Sequence, residues 1–77
     1  MERAWLVNLR SNAGMSQETV AHQSGITRQY YSMIESGDRN PGVDVAKAIA
    51  GVLDFKWTIF FDQESNETLL EPGKSTA

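Results

Sequence analysis

The segment "TRQYYSMIESG" carries four side chains suited to recognition: Arg28, Gln29, Ser32 and Met33. On a helix capped at Thr27, a turn of 100° per residue sends Tyr31 and Ile34 to one side. The same turn sends Arg28, Gln29, Ser32, Met33 and Ser36 to the other. Arg28 offers a planar fork of donors, Gln29 a carboxamide that both donates and accepts, and Ser32 a hydroxyl. Met33 adds a soft apolar surface. Such a face reads the hydrogen-bonding edge of another molecule; it does not make or break bonds.

Catalytic chemistry has no comparable cluster. No serine, histidine and aspartate are spaced as a nucleophile with a positioned base, and the acidic residues follow no paired pattern. The six glycines are scattered as helix stops, not gathered into a phosphate-binding loop. There is no cysteine, which removes disulfides, thiolate metal sites and thiol nucleophiles. His22 is the single histidine and has no carboxylate cluster at ligand spacing, so no metal is expected. The sequence is read as a non-enzyme without a cofactor.

The elements that must hold the Arg28 face are all helical. Apolar residues recur at spacings of three and four, and no stretch sustains period-two alternation. The first helix is expected over Glu2 to Asn12, with Trp5, Leu6 and Leu9 on one face and Gly14 as a left-handed stop. Ser16 caps the second helix, with Met15 and Val20 at the spacing of a hydrophobic staple. Gly25 ends it. Thr27 then caps a third helix, with Ile26 and Tyr31 again at staple spacing, and Gly37 ends that one. "DRNP" turns the chain into a fourth helix over Val43 to Leu53, with Val45, Ala46, Ile49 and Leu53 apolar. A short fifth helix over Lys56 to Phe61 returns Trp57, Phe60 and Phe61 to the bundle.

Two helices separated by little more than Gly25 must cross tightly. Ala21 is small at that crossing, Gly25 supplies a positive φ, and Val20, Ile26, Tyr31 and Ile34 close the angle with apolar contacts. This is a helix-turn-helix within an all-α, compact five-helix bundle.

From Leu6 to Phe61 the chain resembles the lambda repressor and Cro-like family of DNA-binding domains, also called the XRE family. The resemblance rests on "LR" at Leu9 and Arg10, "GMSQETVA", "ESG" at Glu35 to Gly37, and "NP" at Asn40 and Pro41. Two positions depart from the family pattern: Ser24 stands where an apolar residue is common, and Tyr31 where an aliphatic one is. Both are expected to loosen the core without touching the polar face.

A helix-turn-helix lays the first turns of its second helix against base edges in the major groove. Arg28 would pair with guanine, Gln29 with adenine, and Met33 would lie against a thymine methyl, with Ser32 on the same face. The resemblance places Gln17 at a phosphate, where its backbone amide and the positive helix end favour an anion. Thr27, Tyr30, Arg39 and Asn40 are further phosphate candidates, although Thr27 is equally a plain cap, Tyr30 a core-edge residue and Arg39 a solvated charge. The resemblance also pairs Arg10 with Glu35 in a partly buried salt bridge that serves structure. Family members bind palindromic operators as homodimers, with the Trp57, Phe60 and Phe61 cluster as the expected dimer surface.

Composition sets the frame around this reading. At 77 residues the chain is one small domain, and its 40% hydrophobic content suffices for a modest core. No apolar run approaches the roughly 20 residues of a membrane span, so a cytoplasmic protein is the default. The net charge is -3. Six basic and six acidic side chains cancel over residues 1–61, so residues 62–77, with Asp62, Glu64, Glu67 and Glu71 against Lys74, carry the whole excess. Residues 1–61 are therefore read as the DNA-binding domain and 62–77 as an acidic, flexible tail, with Leu69 and Leu70 able to dock. The leading function is a transcriptional regulator of double-stranded DNA, a repressor. The alternative is an antitoxin or coactivator-like interaction module whose acidic tail engages a protein partner.

Overall fold

Left-handed residues punctuate the chain and set its helix lengths. A computed structural model describes residues 2–62. It contains α1 (Ala4–Asn12), α2 (Gln17–Ser24), α3 (Arg28–Ser36) and α4 (Val43–Leu53), followed by a closing helical turn, α5, over 59–62. The described residues form no strand, in keeping with the all-α expectation. The acidic stretch beyond Asp62, with Leu69 and Leu70, lies outside the described residues.

The first three helix ends are built by local chemistry. Gly14, Gly25 and Gly37 have φ of +69°, +76° and +88°, a region that costs residues with a Cβ about 1 kcal/mol or more. At Gly25 the amide of Ile26 reaches back to the Ala21 carbonyl and that of Gly25 to His22, so the last carbonyls of α2 are satisfied as the chain reverses. Ser16 Oγ accepts from the Thr19 amide at 3.1 Å, and Thr27 Oγ1 from the Tyr30 amide at 3.0 Å. α4 ends differently: Asp54 takes the left-handed conformation at φ 61° without being glycine.

α2 packs against both α3 and α4, and α1 against α3. The core comprises Leu6, Val20, Ala21, Tyr31, Ile34, Ala46, Ile49, Leu53 and Phe60. Trp5, Leu9, Met15, Ile26 and Val45 pack around it while half-buried. Tyr31 is wholly buried, and its hydroxyl donates to Glu35 Oε2 at 2.8 Å. The expectation that Tyr31 loosens the core is therefore corrected, because its one polar atom has a strong acceptor. Ser24 Oγ, by contrast, is buried without a hydrogen-bond partner among the described residues.

Two helix boundaries differ from the sequence reading. α1 starts at Ala4 and not Glu2, because Arg3 sits at φ -90°, ψ 80° and its amide bonds across to the Glu35 carbonyl at 2.8 Å. The α5 turn begins at 59, since Lys56 to Thr58 form a turn whose carbonyls accept from Ile59, Phe60 and Phe61.

Candidate nucleic-acid interface

α3 separates into two faces. Tyr31, Ile34 and Glu35 are buried, whereas Arg28, Gln29 and Ser36 are exposed and Ser32 and Met33 half-exposed. Arg28 and Gln29 lie in the first turn, so a guanidinium and a carboxamide stand exposed at the helix N-terminus. Thr27 precedes them, exposed, with its oxygen already accepting from Tyr30. A hydroxyl that accepts through one lone pair keeps its proton to donate, so the cap leaves Thr27 able to contact an anion.

Behind this face lies a carboxylate that joins three helices. Glu35 is 4% exposed. Its Oε2 accepts from Arg10 Nε at 2.6 Å and from Tyr31 Oη at 2.8 Å. Oε1 accepts from Gln17 Nε2 at 2.9 Å and from Arg10 Nη2 at 3.3 Å. Four donors fill the lone pairs of a carboxylate that burial would otherwise disfavour. Burial pushes the Glu35 pKa up, but hydrogen bonds from Arg10, Gln17 and Tyr31 outweigh it and hold the carboxyl below the usual range. Burial pushes the Tyr31 phenol up as well, and there donation to the Glu35 carboxylate reinforces the rise. Arg10 also donates from Nη1 to the Met15 carbonyl at 3.0 Å, tying down the loop before α2.

The consequence for recognition is geometric. Gln17 is the first residue of α2, where backbone amides lack helical acceptors. Its side chain is pinned to the carboxylate that belongs to α3, so the N-terminus of α2 and the polar face of α3 are held in one register. The carboxamide nitrogen carries a second hydrogen not used by Glu35.

The remaining candidates are distributed as follows. Tyr30 is half-buried and packs on the core edge. Arg39 and Asn40 are exposed in the turn after α3. Trp57 and Phe61 are half-buried and meet edge to face, with centroids 5.8 Å apart, and Lys47 Nζ lies 5.1 Å from the Trp57 ring centre. Phe60 does not belong with them: at 1% exposure it is a core residue, held by Trp5 at 5.1 Å and Phe55 at 5.7 Å. As a dimer-surface residue it is withdrawn, because its ring is already covered within the chain. His22 is exposed, and no group of three histidine or acidic side chains among the described residues stands at metal-binding spacing.

Sequence reasoning missed Arg3. It is 7% exposed, and its guanidinium donates to the Ile34 carbonyl at 2.7 Å, the Arg39 carbonyl at 3.2 Å and Asn40 Oδ1 at 2.7 Å. It also lies 5.6 Å from the Phe60 ring centre. The one available signal was the lack of any basic residue in the last turn of α3, whose carbonyls attract a cation.

These features define a helix-turn-helix with a rigid scaffold behind a polar second helix. Residues 6–60 match the family model described as helix-turn-helix, and the chain belongs to that family, as a DNA-binding domain of the XRE type. Among curated proteins it is similar to YqaF of Bacillus subtilis (strain 168), an uncharacterized HTH-type transcriptional regulator. The two are 50% identical over 68 residues, which cover 88% of this chain and 90% of the relative. No solved structure matches the chain. Among the described residues no helix is long and apolar enough to cross a membrane.

Proposed function

We propose that this chain is a transcriptional repressor that binds a palindromic operator as a homodimer in the cytoplasm, with α3 in the major groove. The family and the relative support the coarser statement, a DNA-binding, non-enzymatic regulator of transcription. The observation that carries the finer reading is the exposure of Arg28 and Gln29 in the first turn of α3. Arg28 pairs with guanine, Gln29 with adenine, Met33 covers a thymine methyl, and Ser32 contacts the base or water beside it. Gln17, Thr27, Tyr30, Arg39 and Asn40 hold phosphates and set the register. Trp57 and Phe61 supply the dimer contact, because a single domain of this size does not span two half-sites a helical turn apart.

Selection from random duplex DNA, run beside an Arg28→Ala, Gln29→Ala double variant, tests this. An inverted repeat enriched by the natural chain and lost in the variant supports the reading; no enrichment at low salt overturns it. The charge of residues 62–77 favours one competing reading, an antitoxin or coactivator-like module with a protein partner there. Deleting 62–77 separates the two: a DNA reader keeps or gains DNA affinity when like charge is removed, and an interaction module loses its partner.

A further inference from the structure

The N-terminal segment folds inward onto the far end of the recognition helix. Arg3 carries only donors, so each acceptor it meets is fixed in orientation. Its Nη1 binds the carbonyls of Ile34 and Arg39, on either side of the turn that follows α3. Its Nη2 takes Asn40 Oδ1 at 2.7 Å. The backbone amide of Arg3 adds a bond to the Glu35 carbonyl. One buried residue thus closes the C-terminus of α3 and the turn to Asn40 into a single unit.

For Asn40 this has a chemical result. A carboxamide can rotate to present either its oxygen or its nitrogen, and the two ends have opposite hydrogen-bonding character. With the oxygen committed to a guanidinium, the NH2 end is turned away from Arg3 on an exposed residue. An outward NH2 group matches a phosphate oxygen; an outward carbonyl would repel one.

We propose that Arg3 is a positioning residue for DNA binding, one that orients the Asn40 amide so that its NH2 donates to a backbone phosphate. The inference rests on the DNA-binding reading above and adds to it a residue that touches no DNA. Arg3 is too buried to serve as a basic arm, so its effect on affinity travels through Asn40. The contact is neutral, so it strengthens all sequences alike and leaves the salt dependence unchanged.

Operator affinity by fluorescence anisotropy tests this with Arg3→Lys, Asn40→Ala, their combination, and Asn40→Asp. A lysine keeps the charge but has no fork to bridge the Ile34 carbonyl and Asn40 together. Arg3→Lys and Asn40→Ala are each expected to weaken binding about fivefold per half-site, the worth of one hydrogen bond. The double variant is expected to stay near that same fivefold loss, since both changes remove one contact. A loss near the product, about 25-fold per half-site, means that the two act independently and overturns the proposal. Asn40→Asp keeps the acceptor for Arg3, so it folds whatever becomes of Arg3→Lys. It places an anion where the NH2 stood, and is expected to bind more weakly than Asn40→Ala with an unchanged melting temperature. Binding equal to the natural chain overturns the proposal. Failure of the natural chain to bind any duplex is the separate outcome that removes the DNA reading itself, and this inference with it.

Discussion

Gln17 Nε2 donates to Glu35 Oε1 across 2.9 Å, joining the first residue of α2 to the last turn of α3. The bond matters because Gln17 stands at a helix N-terminus suited to a phosphate, while α3 carries the polar face. Distances between a phosphate contact and a base contact on duplex DNA are fixed, so the protein groups that make them need a fixed separation as well. Glu35 supplies it.

Arg10 is the charge that makes the arrangement affordable. Its side chain is 18% exposed and that of Glu35 5%. Arg10→Met leaves a buried carboxylate with neutral donors alone, which is expected to cost about 3 kcal/mol. For a domain of this size that corresponds to a drop in melting temperature of roughly 12 °C or more. Calorimetry checks it, and a drop below about 4 °C would show that the pair contributes little.

Acid should unfold the protein through the same group. Because the folded pKa of Glu35 lies below its ordinary value of 4.5, the unfolded chain takes up the proton first as pH falls. The carboxylate's contribution is therefore complete above pH 4.5 and is lost as pH drops through the lower folded value. Urea midpoints between about pH 6 and pH 3 should fall more steeply for the natural chain than for Glu35→Gln. Parallel curves would assign the acid sensitivity to other carboxyls.

Ser24 offers a gain. Its hydroxyl oxygen is buried without a partner among the described residues, so Ser24→Ala removes an unsatisfied polar group at little loss of packing. The variant is expected to be about 1 kcal/mol more stable, with DNA binding unchanged. An equal or lower denaturation midpoint would mean that the hydroxyl is satisfied in solution.

Salt dependence should be shallow. Each chain brings Arg39 as a cationic phosphate candidate and Arg28 as the proposed base reader, and the remaining proposed contacts are neutral. For a dimer, the slope of log K against log salt is expected at about -2 to -4, from roughly -0.9 per neutralised phosphate. A slope near -8 would reveal a basic surface not among the residues named here.

How far the sequence discloses this molecule depends on the range of each interaction. Gly25, Ser16 and Thr27 act on residues three to five positions away, so caps and stops are visible in the string itself. The face of α3 follows from helical phase alone, which is why Tyr31 and Ile34 read correctly as inward and Arg28 and Gln29 as outward. Arg3 binds Ile34 and Asn40 at separations of 31 and 37 residues, and no local pattern announces such a contact. Phe60 is similar: in a run with Trp57 and Phe61, the contact with Trp5 across the fold, together with nearby Phe55, marks the ring that turns inward. Tyr31 looked like a flaw because an aliphatic residue is common at its position, and Glu35 was paired in the sequence reading with Arg10 alone, not with the Tyr31 hydroxyl it also accepts from.

The central claim is that α3 reads bases through Arg28 while the residues around it hold phosphates. Its most direct test measures affinity for the selected operator and for duplexes altered one base pair at a time, with the natural chain, Arg28→Ala and Arg39→Ala. Arg28→Ala should lose about 1 to 3 kcal/mol per half-site of the operator and become indifferent to the base at one position in each. Arg39→Ala should weaken every duplex alike. An Arg28→Ala chain that binds all duplexes proportionally more weakly, with its base preferences intact, would contradict the account.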